Sequence, residues 1–326
     1  GLVRAAIFVV VIVATVLPCT LRNLVAGRHP TLISANGGLN FYIGNNPDYD
    51  RNVYLPPGYA FEELYDEPRR IAGVSSFVDR DRYWYGKAFA FILAHPGQEV
   101  FLLLKKLGLY LADYEIGRNT DTSFAKETSI FKSVPFVPAW FILAAGMSGM
   151  VVALRQRRAA SLAALGALLA LPCLIFFVTD RYRLPSMGVW AVFAGFFVIT
   201  IARAIGKRAW RTVVVAMAGA AGLAIVSNAN LFVMRNPAYR PHLVLGFVYE
   251  AQGKIDRALQ EYSTALRLVQ SLQPRDIKAE AEILCRRGNA QMTAGHLEEA
   301  RRDFEQAAAV DPSSGPAYSY LGSLFA

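Results

Sequence analysis

The sequence predicts a mainly α-helical protein. Polytopic membrane helices, with an external loop domain between the first and the second, lead into an α-solenoid of short helical repeats. Three observations predict this. Apolar windows free of charge recur through the first 234 residues, near the ~20-residue length that crosses a hydrocarbon core. Basic residues gather in the short connections between those windows. Small and aromatic residues recur in a fixed frame after residue 240. Composition agrees: 54% of the 326 residues are hydrophobic and mean hydropathy is +0.30. Only 18% are charged, against roughly 25% in soluble domains. An ordinary soluble enzyme and a disordered chain are both excluded.

The first apolar run, 5–21, is short and β-branched and belongs to the first segment, 1–21. It reads as the end of a span, although one Arg before an apolar stretch also begins a signal peptide. Four further windows follow at 133–154, 159–179, 184–202 and 212–234, so that 133–234 holds four membrane helices. The chain opens on Gly1 rather than Met and stops inside a repeat. The expectation is a fragment of a longer protein.

Charge orients the spans. Arg155, Arg157 and Arg158 lie between the second and third, and Arg203, Lys207, Arg208 and Arg211 between the fourth and fifth. Short basic loops face the cytoplasm. Residues 22–132 and the C-terminal 235–326 then lie outside, which makes the chain a multi-pass membrane protein. The external segment 18–132 carries 13 basic and 13 acidic residues, and the repeats carry 11 of each. The net charge of +9 is therefore mainly a topology signal, and it does not mark a nucleic-acid surface.

The external loop holds two features. The stretch Leu32 to Pro47 contains Gly37-Gly38 and Asn45-Asn46-Pro47, which supply turns. Its Asn36, Asn40, Tyr42 and Asn45 offer amides and an aromatic hydroxyl suited to sugar hydroxyls, or simply hold a turn-rich loop together. Further on, a helical pattern near 80–94 is followed by Pro96 at a helix start. Residues 97–112 set Val100, Leu103, Leu104, Leu107 and Leu111 on one face. Lys105 and Lys106 are too central for a span. An amphipathic helix at the membrane surface and one packed on the loop's own core both fit.

In the external connection between the third and fourth spans stands Asp180-Arg181-Tyr182-Arg183-Leu184-Pro185. Two guanidiniums there suit bidentate phosphate binding, with Asp180 to orient one; anchoring a helix end is the alternative. Cys19, Cys173 and Cys285 make no CxxC pair, zinc pattern or disulfide framework. His242 and His296 have no acidic or Cys partner at ligand spacing and read as packing or surface residues. No metal site and no cofactor site is identifiable.

The repeats are explicit. Leu245-Gly246, Tyr249, Gly253, Ala258, Tyr262 and Ala265 set one frame; Gly288, Gly295, Ala300, Phe304 and Ala307 repeat it, closed by Asp311-Pro312. Leu321-Gly322 restarts it 34 residues after Gly288, which is the tetratricopeptide period. Eight extra residues, including Pro274, separate the first two repeats. Such arrays bind proteins or peptides on a concave face, so a protein partner is expected.

The stretch Ser34 to Asn46, the string Lys105-Lys106-Leu107 followed by Tyr114-Glu115-Ile116 and Asn119, and the Asp180–Pro185 element together resemble the bacterial family 39 glycosyltransferases. These are relatives of the dolichyl-phosphate-mannose–protein mannosyltransferases, with a GT-C membrane fold. Glu usually stands where this chain has Asp180. The resemblance implies a transferase that takes a sugar from a polyprenyl-phosphate donor, a lipid-phosphate substrate, to an envelope acceptor at the external leaflet. By position and chemistry Arg181 and Arg183, with Asp180, are the candidates for the donor phosphate of such a substrate. The resemblance also implies an acidic catalytic residue near the N-terminus of the full protein, with no equivalent in this chain, so no catalytic residue is assigned and this chain alone is expected to be inactive. A membrane-anchored repeat scaffold and a surface-polysaccharide polymerase or ligase are the alternatives.

Overall fold

A computed structural model describes residues 2–27, 31–55, 59–113, 137–154, 157–229, 231–232 and 237–324. Every regular element among them is a helix. The Tyr114-Glu115-Ile116 string, Asn119, Arg155 and residues 133–136 lie outside the described residues. So do 230 and 233–234 at the end of the fifth window. The chain divides into two compact units.

The first unit contains α1 (Leu2–Gly27), α2 (Gly37–Gly44), α3 (Tyr49–Val53) and most of α4 (Tyr59–Ala72). It continues with α5 (Phe77–Ala94), α6 (Pro96–Leu111), α7 (Ala139–Ala153), α8 (Arg157–Ile175), α9 (Asp180–Gly206) and α10 (Trp210–Ala229). Among the described residues three helices are by themselves long and apolar enough to cross a membrane, α1 over Ala6–Ala26, α9 and α10, and α5 with α6 reach that length and hydropathy only together, as a bent pair. The outward positions of α1 and α10 are apolar as well, with Phe8 and Val215 strongly exposed. α7 and the apolar part of α8, Ala159–Ile175, are shorter. The window 159–179 therefore ends four residues early as helix.

Close helix packing follows from small residues. A Cβ added at Gly146 or Gly149 of α7 would lie 2.4 Å from the Trp190 carbonyl oxygen or 2.1 Å from that of Phe193. Only glycine lets α7 sit this close to the α9 backbone. Ala145, Ala194 and Phe197 fill the contact.

The Gly-Gly stretch is a helix where turns were expected. Its start is anchored from outside: the Gly38 amide donates to the Asp81 carboxylate at 2.6 Å, satisfying one of the donors a helix N-terminus leaves open. Tyr42 then packs on Trp84 of α5, ring centroids 4.6 Å apart. α5 and α6 meet at 107°. His95 ends the first and Pro96 starts the second, the position where proline's missing N–H is harmless.

The second unit holds α11 (Tyr239–Ala251), α12 (Ile255–Gln270), α13 (Ile277–Thr293), α14 (Leu297–Val310) and α15 (Gly315–Leu324). The frame residues do what their types predict. A Cβ at Gly246 would meet the Tyr262 ring at 2.4 Å, and one at Gly288 the Phe304 ring at 2.6 Å. Ala258, Ala265, Ala300 and Ala307 are fully buried. Gly253 and Gly295 turn the chain with φ of +72° and +83°, a region side chains disfavour. The eight additional residues divide three ways. α12 is two residues longer than α14, the linker after it is two longer, and α13 has one extra turn before its glycine.

Candidate functional site

The first unit contains a buried polar seam along one face of α6. The periodicity of α6 places Glu99, Leu102, Lys106, Leu109 and Tyr110 on the same side, and all five are buried. The leucine stripe lies on the other side: Val100, Leu103, Leu104 and Leu107 are 41–58% exposed. Packing of that stripe on the loop's own core is thus not what the helix does.

Lys106 is wholly buried. Its ammonium donates to Asn45 Oδ1 at 2.7 Å and to the Leu174 carbonyl at 3.1 Å, and lies 3.9 Å from Glu99. Asn45 in turn donates to the carbonyls of Phe41 at 2.7 Å and Ile175 at 2.9 Å. Leu174 and Ile175 are the last residues of α8. Helix C-termini leave carbonyls without intrahelical donors, and cations favour that end. Lys106 and Asn45 supply both needs, which explains why a charged group is tolerated here. The neighbouring Lys105 points elsewhere, to Asp50 of α3 at 2.6 Å.

One turn along α6 the seam continues. Trp190 Nε1 donates to the Tyr110 hydroxyl at 2.6 Å, and Ser186 Oγ donates to the Arg183 carbonyl at 2.7 Å. Ser186 has a single hydroxyl proton, so in the 2.7 Å contact between the two hydroxyls Tyr110 is the donor. The Arg183 guanidinium reaches back to the Tyr110 carbonyl at 3.3 Å and lies 3.9 Å from Asp180. Glu99 Oε2 and the Thr179 hydroxyl are buried without a hydrogen-bond partner among the described residues.

The expected phosphate candidates separate. Asp180–Pro185 is the first turn of α9, with Thr179 at its N-cap, rather than a loop. Residues two apart on a helix face different directions. Arg183 turns inward and is 4% exposed, whereas Arg181 is exposed. A paired guanidinium clamp does not form. Arg181 alone presents its charge outside, next to a helix N-terminus, where anions are favoured.

The loop candidates separate too. Tyr42 and Asn45 are buried and occupied, Tyr42 beneath Trp84 with the Lys87 ammonium 4.9 Å from its ring. Asn40 is half-buried. Asn36, just before α2, lines an open cleft of about 330 Å³ with Asn23, Thr31, Tyr65 and Phe77. Sequence reasoning missed Glu99, Lys106, Tyr110, Ser186 and Trp190. The signal for the first three was present: they share the face of α6 opposite the leucine stripe.

The repeats carry partly buried polar contacts of their own. His242 pairs with Glu261 at 2.7 Å, a partner that sequence spacing did not suggest. Arg287 grips Asp303 through two bonds of 2.7 and 2.6 Å. Glu280 is gripped likewise by Arg275, and this holds its carboxyl below the ordinary value. Burial pushes the Cys285 thiol up to about 12, which makes it a packing residue rather than a nucleophile. No group of three or more His, Cys, Asp or Glu able to hold a metal ion occurs among the described residues.

Residues 281–314 match the tetratricopeptide repeat family. That span is α13, α14 and the linker to α15, the second repeat of the sequence frame. No curated protein and no solved structure matches the chain.

Proposed function

We propose that this chain belongs to an integral-membrane glycosyltransferase. It transfers a sugar from a polyprenyl-phosphate donor to an envelope acceptor on the external leaflet of a bacterial inner membrane. Its tetratricopeptide repeats, on the same side, bind a protein partner. Arg181 contacts the donor phosphate, and Arg183, held by Tyr110 and Asp180, positions the turn that carries it. One observation supports this reading above others. Two of the stretches that carry the family 39 resemblance touch α6, where the described part of the third, Lys105-Lys106-Leu107, lies: Asn45 bonds Lys106, and Arg183 bonds the Tyr110 carbonyl.

The test is transfer by the full-length gene product from polyprenyl-monophosphate and polyprenyl-diphosphate sugar donors. Transfer from the monophosphate is expected. Transfer from the diphosphate alone overturns the reading in favour of a polymerase or ligase. A second reading, a membrane-anchored repeat scaffold, draws on the repeat family match. It predicts partner capture by the repeats and no transfer with either donor.

A further inference from the structure

We infer that α6 is a membrane-interface helix whose lipid-facing side is the stripe Val100, Leu103, Leu104 and Leu107, and that Lys106 sets its depth. The inference rests on the membrane reading above but not on any enzymatic activity. α6 departs from the pattern of a soluble amphipathic helix. Its charged Glu99 and Lys106 are buried beside Leu102 and Leu109, while Val100, Leu103, Leu104 and Leu107 on the other side stay 41–58% exposed. In water that arrangement leaves apolar area hydrated at roughly 25 cal/mol per Å². It also buries charge, which is unfavourable unless the charge is paired. Lipid over the outer side removes the first penalty, and the second is offset by the bonds of Lys106 to Asn45 and the Leu174 carbonyl.

What covers the stripe is indicated by where α6 is fastened. Lys106 binds the Leu174 carbonyl at 3.1 Å and, through Asn45, the Ile175 carbonyl. These are the end of the apolar helix Ala159–Ile175. The end of an apolar helix that lies in a bilayer marks the boundary between hydrocarbon and headgroups, because its open carbonyls need polar partners. Lys106 therefore ties α6 at that level, and the 107° bend from α5 lets it run in a new direction there. An interfacial helix buries its apolar side about 5–10 Å into the boundary. The occupant is the bilayer itself.

The experiment places a photoreactive p-benzoylphenylalanine at single positions of the full-length protein in phosphatidylethanolamine–phosphatidylglycerol vesicles. Adducts are read by mass spectrometry. Positions 104 and 107 test the stripe; position 98, where Gln98 is exposed on α6, is the aqueous control. Position 215 in the candidate span α10, where Val215 is 73% exposed, is the membrane control. Lipid adducts at 104, 107 and 215 but not at 98 are expected. Lipid at 215 with water quenching, or a second protein copy, at 104 and 107 overturns the interface helix and leaves the membrane reading standing. Absence of lipid at all four positions overturns both.

Discussion

The Lys106 ammonium and the Asn45 side-chain oxygen lie 2.7 Å apart, 61 residues distant in sequence and both shut off from water. Through this contact one charge fastens α2, α6 and the end of α8 together. Removing one partner of a buried hydrogen bond to a charged group is expected to cost about 1.5–3 kcal/mol. Asn45→Ala and Lys106→Met should each lower the thermal midpoint of the detergent-solubilised protein. The double variant Asn45→Ala, Lys106→Met should lose less than the sum. A coupling of about 1–3 kcal/mol is expected from such a cycle. Strict additivity refutes the latch.

Arg181 and Arg183 should fail in different ways. Arg183 is buried against Tyr110, so Arg183→Ala should destabilise the protein. Arg181→Ala should leave the thermal midpoint unchanged and lower transfer from the monophosphate donor. A lost charged hydrogen bond of about 1.5–3 kcal/mol corresponds to roughly ten- to hundredfold. Unchanged transfer by Arg181→Ala removes that residue from the donor site.

In the repeats, Gly288→Ala drives a Cβ to 2.6 Å from the Phe304 ring. Such overpacking costs about 1–3 kcal/mol. Amide exchange in α13 and α14 should accelerate, and Phe304→Leu on the same background should return part of the protection. No change in exchange would show that the helix pair has slack at this contact.

Acid should loosen α13 through Glu280. Arg275 holds the carboxyl below its ordinary value of 4.5 while burial opposes this, and Gln270 adds a bond. A depressed carboxyl stabilises the fold above its unfolded value, and the contribution is lost as pH falls through the folded value. The protection factors of the α13 amides, which remove the intrinsic pH dependence of exchange, should therefore fall below about pH 4.5, less steeply in Glu280→Gln, which should already be less protected at pH 7. Parallel curves for the two proteins would sink the assignment.

The sequence by itself determined the repeats. Gly246 with Tyr262 and Gly288 with Phe304 are sixteen residues apart, and each pair packs within one helical hairpin, so a local frame encodes the contact directly. The apolar windows were legible for the same reason, since length and hydropathy act along one helix at a time. Only the tertiary structure decided which side of α6 faces in. Periodicity divides a helix into two faces, and the leucine stripe fitted a membrane surface and the loop's own core equally well; the bond of Lys106 to the end of α8 decides which side is buried. It also decided that Arg181 and Arg183 diverge, because Asp180–Pro185 is drawn into a helix by packing against α6. Those outcomes depend on partners 61 to 76 residues away. A buried charge is tolerated only where distant carbonyls and amides happen to converge, and no local pattern records that convergence.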